Sequence, residues 1–229
     1  MLKRNKYLFS LILLSNIFTG CGGSSSSETT IDTSASAVSI ISLDTKKSLA
    51  YMGNEERLAH DIYNKFYDLF PSLMQFRNIA INSETRHIEA VQQLVQKYEI
   101  IGTELSDSNY TSLYYQNTDI SQMQAGVYGV LSVQQLYDAL LVEGSNDEIS
   151  ALKVGCKVEV TDIEDLNKYL DYANNDNASD IVEIFEFLRA GSYSHYWTFD
   201  AALKSKNVVN GCNLGVEPYG DKNGIYPVI

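Results

Sequence analysis

Apolar residues recur along most of this chain at steps of three and four, the period of a helix buried on one face. Over residues 44–70 that face is drawn by Leu49, Met52, Leu58, Ile62, Phe66 and Leu69, and Pro71 stops the run. Residues 73–98 predict a second helix, with Ile79, Leu94 and Val95 on its stripe and Gly102 beyond its end. Residues 103–131 are polar, aromatic and aperiodic, and read as a long connection. A short helix is predicted over 132–142, with Ser132 as its N-cap and Gly144 closing it. A third long helix covers 147–172, its face made by Ile149, Leu152, Val158, Ile163, Leu166 and Leu170; the run Asn-Asn-Asp-Asn-Ala-Ser breaks it. A fourth covers 179–204 and packs Ile181, Ile184, Phe185, Leu188 and Phe199. The tail 207–229 has no clear period and is expected to lie as a loop on the surface. No strand alternation appears, so the predicted class is all-α.

The links between the four long helices are short, long and short. That is the connectivity of a ferritin-like four-helix bundle with one crossover, between helices 2 and 3, carrying a short extra helix. An up-down bundle with three short loops fits less well.

The first residues read as an address. Lys3, Arg4 and Lys6 precede an apolar run over 7–18, which is too short for a permanent membrane span. Thr19 and Gly20 then precede Cys21, as in a bacterial lipoprotein signal, where cleavage falls before a cysteine that takes the lipid. Phe18 departs from the usual leucine; an ordinary secretory signal and an uncleaved anchor are the alternatives. The Gly/Ser/Thr-rich segment 21–42 reads as a flexible tether. The expected order is therefore a signal at 1–20, a tether at 21–42, a helical domain at 43–206 and a tail at 207–229. The expected location is the bacterial cell envelope, lipid-anchored on its periplasmic or surface side, with the membrane as a partner.

Charge narrows the partners. Seventeen Lys and Arg face 29 Asp and Glu, for a net charge of −12 at pH 7. A nucleic-acid partner is not expected, because the phosphate backbone needs a basic footprint. Cation binding and simple solubility fit equally well. Besides Cys21 there are Cys156 and Cys212, which in an oxidising compartment could pair and pin the tail to the body; two free thiols is the other reading.

Glu84 and His87 stand at i and i+3, one turn apart on a single helix face. Such pairs suit a bundle that binds two metal ions, in which carboxylates neutralise the cations and each imidazole fills one position. The tally is met with Glu56 from helix 1, Glu84 and His87 from helix 2, Glu159 and Asp162 from helix 3, and His195 from helix 4. Helix 4 lacks the usual carboxylate three residues before its histidine, where Ser192 stands. Asp162 is the candidate to replace it, either as a ligand or as an acceptor behind a histidine. Ile81, Ile88 and Val91 place the Glu84 face near the core, where an unpaired carboxylate is costly. Glu55 is read as a solvated helix-face charge. His60 is four residues after Glu56 and is assigned a surface or supporting role; Tyr63, seven after Glu56, is a candidate for passing an electron. Most of the sixteen tyrosines read as packing or interface residues.

Four segments carry a resemblance: NEERLAHDIY, FRNIAINSETRHIEAV, LYDAL with ALKVGCKVEVTDIEDL, and LRAGSYSHYWTF. Together they resemble the ferritin-like family catalogued as domain of unknown function 2202, across about residues 47–204. The resemblance implies a ferritin-like fold and a di-iron-type site, with no reaction attached. It carries over Glu56, Glu84, His87, Glu159 and His195 as ligands, with Asp162 and Asp61 as inner or supporting carboxylates. His60, Val160 and Cys156 depart from the family pattern.

The expected cofactor is two metal ions, iron first and manganese as the alternative. One expected function is an oxidoreductase of the ferroxidase or peroxidase kind, oxidising Fe(II) or reducing O2 or peroxide. Two others are a metal-binding module without turnover, and a helical lipoprotein that meets a protein partner or a second copy through its tyrosine-rich crossover and tail.

Overall fold

The computed structural model describes residues 40–100, 120–213 and 226–227. They fall within one compact unit, Val38–Ile229. The described residues are helical, with turns and no strand. The helices are α1 (Leu43–Leu69), α2 (Met74–Ile79), α3 (Thr85–Lys97), α4 (Leu131–Gly144), α5 (Glu148–Asn175) and α6 (Ser179–Ser205). A π-helical turn, Ala80–Glu84, joins α2 to α3, so the two run as one long element. The expected signal, Cys21 and the tether up to residue 39 lie outside the described residues, as does 101–119 of the expected crossover. No helix among the described residues is long and apolar enough to cross a membrane.

Side chains cap the starts of α1 and α5. Ser42 caps α1, its Oγ accepting from the Thr45 amide. The Ser42 amide and hydroxyl and the Thr45 hydroxyl all donate to Asp176 Oδ2, which ties the start of α1 to the end of α5. Ser42, and Ile41 buried beside it, therefore belong to the fold and not to the expected tether. Asp147 caps α5 by accepting from the Ser150 amide at 2.7 Å. The break after α5 comes later than expected: the helix runs to Asn175, and Asn177 at φ 55° makes the turn. Ser132 is not the cap of α4. Val130 holds that place without a side-chain bond, and Ser132 is exposed inside the helix.

The interior is built as two apolar layers with a polar layer between them. One contains Leu58, Ile62, Phe66 and Phe76 with Leu152, Val154, Phe199 and Leu203. The other contains Leu49, Met52, Val91 and Leu94 with Leu166, Leu170, Phe185 and Leu188. Each of the four long elements crosses both layers. Burying such side chains stabilises the fold by about 1.5–3 kcal/mol apiece, which offsets the cost of the charged groups held between them.

The π turn sets what faces inward. Phe76, Ala80, Glu84 and Ile88 are all buried at steps of four. In an unbroken α-helix those twelve residues would drift by about 120°. Wider i to i+5 bonding absorbs part of that drift. Here the Thr85 amide donates to the Ala80 carbonyl, and the Thr85 hydroxyl donates to the same oxygen at 3.2 Å. The change of register also corrects the expected face: Ile81 is 47% exposed. Leu69, at the end of α1, is exposed as well.

After α6 the chain turns back. Gly211, at φ 52°, lies so close to Asp200 that a Cβ there would fall 1.9 Å from Oδ1. That approach lets Asp200 Oδ1 accept from the Cys212 amide at 3.0 Å. Cys212 is buried and forms a disulfide with Cys156 on α5. Trp197 Nε1 donates to the Pro227 carbonyl. The tail at residues 207–213 is thus bonded into the body rather than laid over it; 214–225 and 228–229 lie outside the described residues.

Candidate metal centre

Glu56, Glu84, His87, Glu159 and His195 meet in the layer between the two apolar clusters. Each is at most 6% exposed. They form two groups, Glu56–Glu84–His87 and Glu84–Glu159–His195, within each of which one ligand atom per residue lies within 4.8 Å of the others. Glu84 belongs to both. Its Oε2 is 3.1 Å from His87 Nδ1 and its Oε1 is 3.1 Å from His195 Nδ1. His87 Nδ1 is also 3.0 Å from Glu56 Oε2, and His195 Nδ1 is 3.4 Å from Glu159 Oε2. The two rings stand with centroids 5.7 Å apart.

The donor set fits cations. Glu56 Oε1, Glu84 Oε1, Glu159 Oε2 and His195 Nδ1 are buried without a hydrogen-bond partner. Glu84 Oε1 and His195 Nδ1 are close enough to bond, yet lack the alignment for it. Unaligned carboxylate and imidazole atoms facing one another between two apolar layers match a ligand set for a common positive centre. Leaving such groups unpaired would be costly.

Protons partly fill that role. Burial pushes the Glu56 carboxyl up, Glu84 adds to the shift, His87 opposes it, and the result is about 8. Burial also raises Glu159 and Asp162. Burial disfavours a charged imidazole, but Glu56 and Glu84 outweigh it and hold His87 at about 10. Against the same opposition, Glu159 and Glu84 raise His195. Glu84 moves the other way, because both histidines outweigh its burial.

These shifts have a sign. A carboxyl or imidazole raised in the fold binds protons that the unfolded chain releases, so stability falls as pH rises through that interval. Glu56 acts between 4.5 and about 8, and His87 between 6.5 and about 10. Glu84 opposes them only at acid pH, below its ordinary 4.5. The protein stripped with a chelator is therefore expected to melt several degrees lower at about pH 8.5 than at about pH 6. Metal at the higher pH should restore the loss, because the ions replace the displaced protons. Circular-dichroism melts at the two pH values check both.

Tyr63 comes close to this layer. Its Oη donates to Glu159 Oε1 at 2.5 Å, and burial, then Glu159, keeps the phenol protonated far above its ordinary range. His87 is backed by the main chain of α6. A Cβ on Gly191 would fall 2.4 Å from His87 Cε1 and 2.5 Å from Nε2. Gly191→Ala is expected to swing the ring and weaken the Glu56–Glu84–His87 position by about 10–100-fold, while the His195 position still fills. A Co(II) titration should then show one tight ion where the unaltered chain shows two.

Other expected positions fall elsewhere. Asp162 is buried but outside both ligand groups; its side chain is one methylene shorter than glutamate, and it lines a pocket on the α4 side. Asp61 and His60 do not support the ligands. His60 Nδ1 pairs with Asp61 Oδ1 at 3.0 Å, and Asp61 Oδ2 accepts from the Gly126 amide and the Tyr128 hydroxyl, both at 2.9 Å. Arg57, itself buried, donates to the Gln124 carbonyl and lies over the Tyr128 ring. These residues clamp the end of the crossover to α1. Glu55, read as solvated, is only 3% exposed, because α4 packs over that part of α1. Ser192 turns back on its own helix and donates to the Leu188 carbonyl.

Fold and site together define a protein whose described residues are helical and whose interior holds a carboxylate–histidine constellation able to take metal. The chain belongs to the family described as Uncharacterized protein domain (DUF2202), matched over residues 45–210. It is 35% identical over 165 residues to Uncharacterized protein MJ0754 of Methanocaldococcus jannaschii, covering 72% of this chain and 78% of that one. The crystal structure of hypothetical protein MJ0754 from Methanococcus jannaschii DSM 2661 superposes with a TM-score of 0.58 at 33% identity. That match covers 71% of this chain and 81% of the other.

Proposed function

We propose that this chain is an envelope lipoprotein whose ferritin-like domain holds two metal ions, iron first and manganese as the alternative, and acts as an oxidoreductase on O2, peroxide or Fe(II). The observation that carries the reading is Glu84, whose two oxygens face two different histidines. Short, long and short links between the long helices support the ferritin-like class. The Cys156–Cys212 disulfide supports an oxidising compartment.

Glu56 and His87 would hold one ion, Glu159 and His195 the other, and Glu84 would serve both. Bound iron would supply the redox chemistry. The protein residues do the rest. The two apolar layers exclude bulk water from the ligands. The main chain at Gly191 holds the His87 ring in place, and Tyr63 keeps a proton directed at Glu159 Oε1.

The test is consumption of O2 or peroxide by the Fe(II)-loaded protein, followed with an electrode. Repeated turnover in the presence of a reductant supports the oxidoreductase. Stoichiometric binding without turnover would replace it with a metal-binding module.

A further inference from the structure

The ligand set leaves Glu55 unexplained. This residue immediately precedes Glu56 on α1, is 3% exposed, and its Oε2 has no hydrogen-bond partner. Its carboxyl is hydrogen-bonded to that of Asp165 on α5, which is half-buried. Two carboxyls in such contact require a proton or another cation to offset their repulsion.

Glu55 lines a pocket of about 30 Å³ between α1, α4 and α5. That is room for a particle the size of one or two waters. Asp162 and Thr161 form part of its wall, and Leu136 and Leu140 of α4 cover it. Lys157 also borders it, but its ammonium is bonded to Glu143 Oε1 at 2.5 Å, which matches its charge. Asp162 is within electrostatic reach of Glu55 on one side and of the ligands Glu56, Glu84 and Glu159 on the other. Carboxylates therefore run from half-buried Asp165 through Glu55 and Asp162 to the metal centre.

We propose that this pocket is a loading station for divalent cations, which Asp165, beside Glu55, draws in from solvent, Glu55 holds in the pocket and Asp162 passes to the ligand layer. The inference rests on the metal-centre reading above. It assigns Glu55 and Asp165 to the rate of filling and not to the final coordination. A small pocket with two carboxylates in its wall, whose bordering ammonium is already bonded to Glu143, concentrates a counter-ion and speeds its arrival.

The test is stopped-flow loading of the chelator-stripped full chain with Co(II), read from the absorbance of the bound ion, with the end point counted separately. Glu55→Gln is expected to load about tenfold or more slowly and still to reach two ions per chain. Leu136→Trp, which narrows the pocket without touching a carboxylate, should also slow loading. Glu183→Gln, which removes an exposed charge on α6, should load at the unaltered rate. Should Glu55→Gln not fold, Leu136→Trp decides alone. An unaltered rate in either pocket variant, equal slowing in Glu183→Gln, or a lowered end point in Glu55→Gln would overturn the loading station while leaving the metal centre intact. An unaltered chain that takes up no Co(II) would overturn both.

Discussion

Replacing Glu84 with glutamine is expected to empty both metal positions at once. The other carboxylates, Glu56 and Glu159, each belong to one ligand group, whereas Glu84 belongs to both. The amide keeps the size of the carboxyl and removes its charge, so both ligand groups lose the one carboxylate they have in common. Altering a partner one step behind a ligand already weakens metal binding by about 10–100-fold, so losing a ligand should cost at least as much at each position. The stripped variant should fold but melt lower, because His87 and His195, which hold Glu84 ionised, lose a counter-charge while Glu56 and Glu159 stay beside them. Calorimetric titration with Co(II) gives the affinities, and a melt of the stripped protein gives the fold. Retention of one tight ion in Glu84→Gln would show that the two positions do not share this residue.

The second large effect concerns stability. The disulfide joins Cys156 on α5 to Cys212 beyond α6 and closes a sequence separation of 56 residues. Restricting an unfolded chain over a loop of that size contributes roughly 2–4 kcal/mol to stability. The double variant Cys156→Ala/Cys212→Ala is expected to lose that amount, lowering the melting temperature by about 5–15 °C for a domain of this size. Denaturant unfolding of the variant beside the oxidised parent measures it. A difference below about 0.5 kcal/mol would mean that the Cys212–Asp200 bond and the buried turn hold the segment without the cross-link. Cys156 lies three residues before Glu159, so metal content in the same variant reads whether the bond also steadies the ligand layer.

Much of the helical order is legible in the sequence, because the apolar steps of three and four are the same steps that fill the two core layers. Glu84 and His87 are legible for a related reason: one turn apart, they lie on a face bordered by Ile88 and Val91. What escaped was set by contacts between elements distant in sequence. The π turn changes register within a run of ordinary helix formers, and it moves Ile81 to solvent while keeping Glu84 inside. Glu55 is buried by α4, whose resting place no local pattern encodes. The family resemblance implied Asp61 as an inner or supporting carboxylate, yet its face of α1 meets the end of the crossover, at Gly126 and Tyr128. The contact of Tyr63 with Glu159 spans 96 residues. Spacing alone suggested that Tyr63 lies near the layer, and only packing could supply its partner.

The most direct measurement is iron per chain by mass spectrometry, after Fe(II) loading and desalting. It should be made on the full chain, on His87→Ala, on His195→Ala and on the double variant. Two overlapping ligand groups predict two irons per chain, then one, one and none. An unaltered chain without iron, or a double variant that still holds two, would contradict the account.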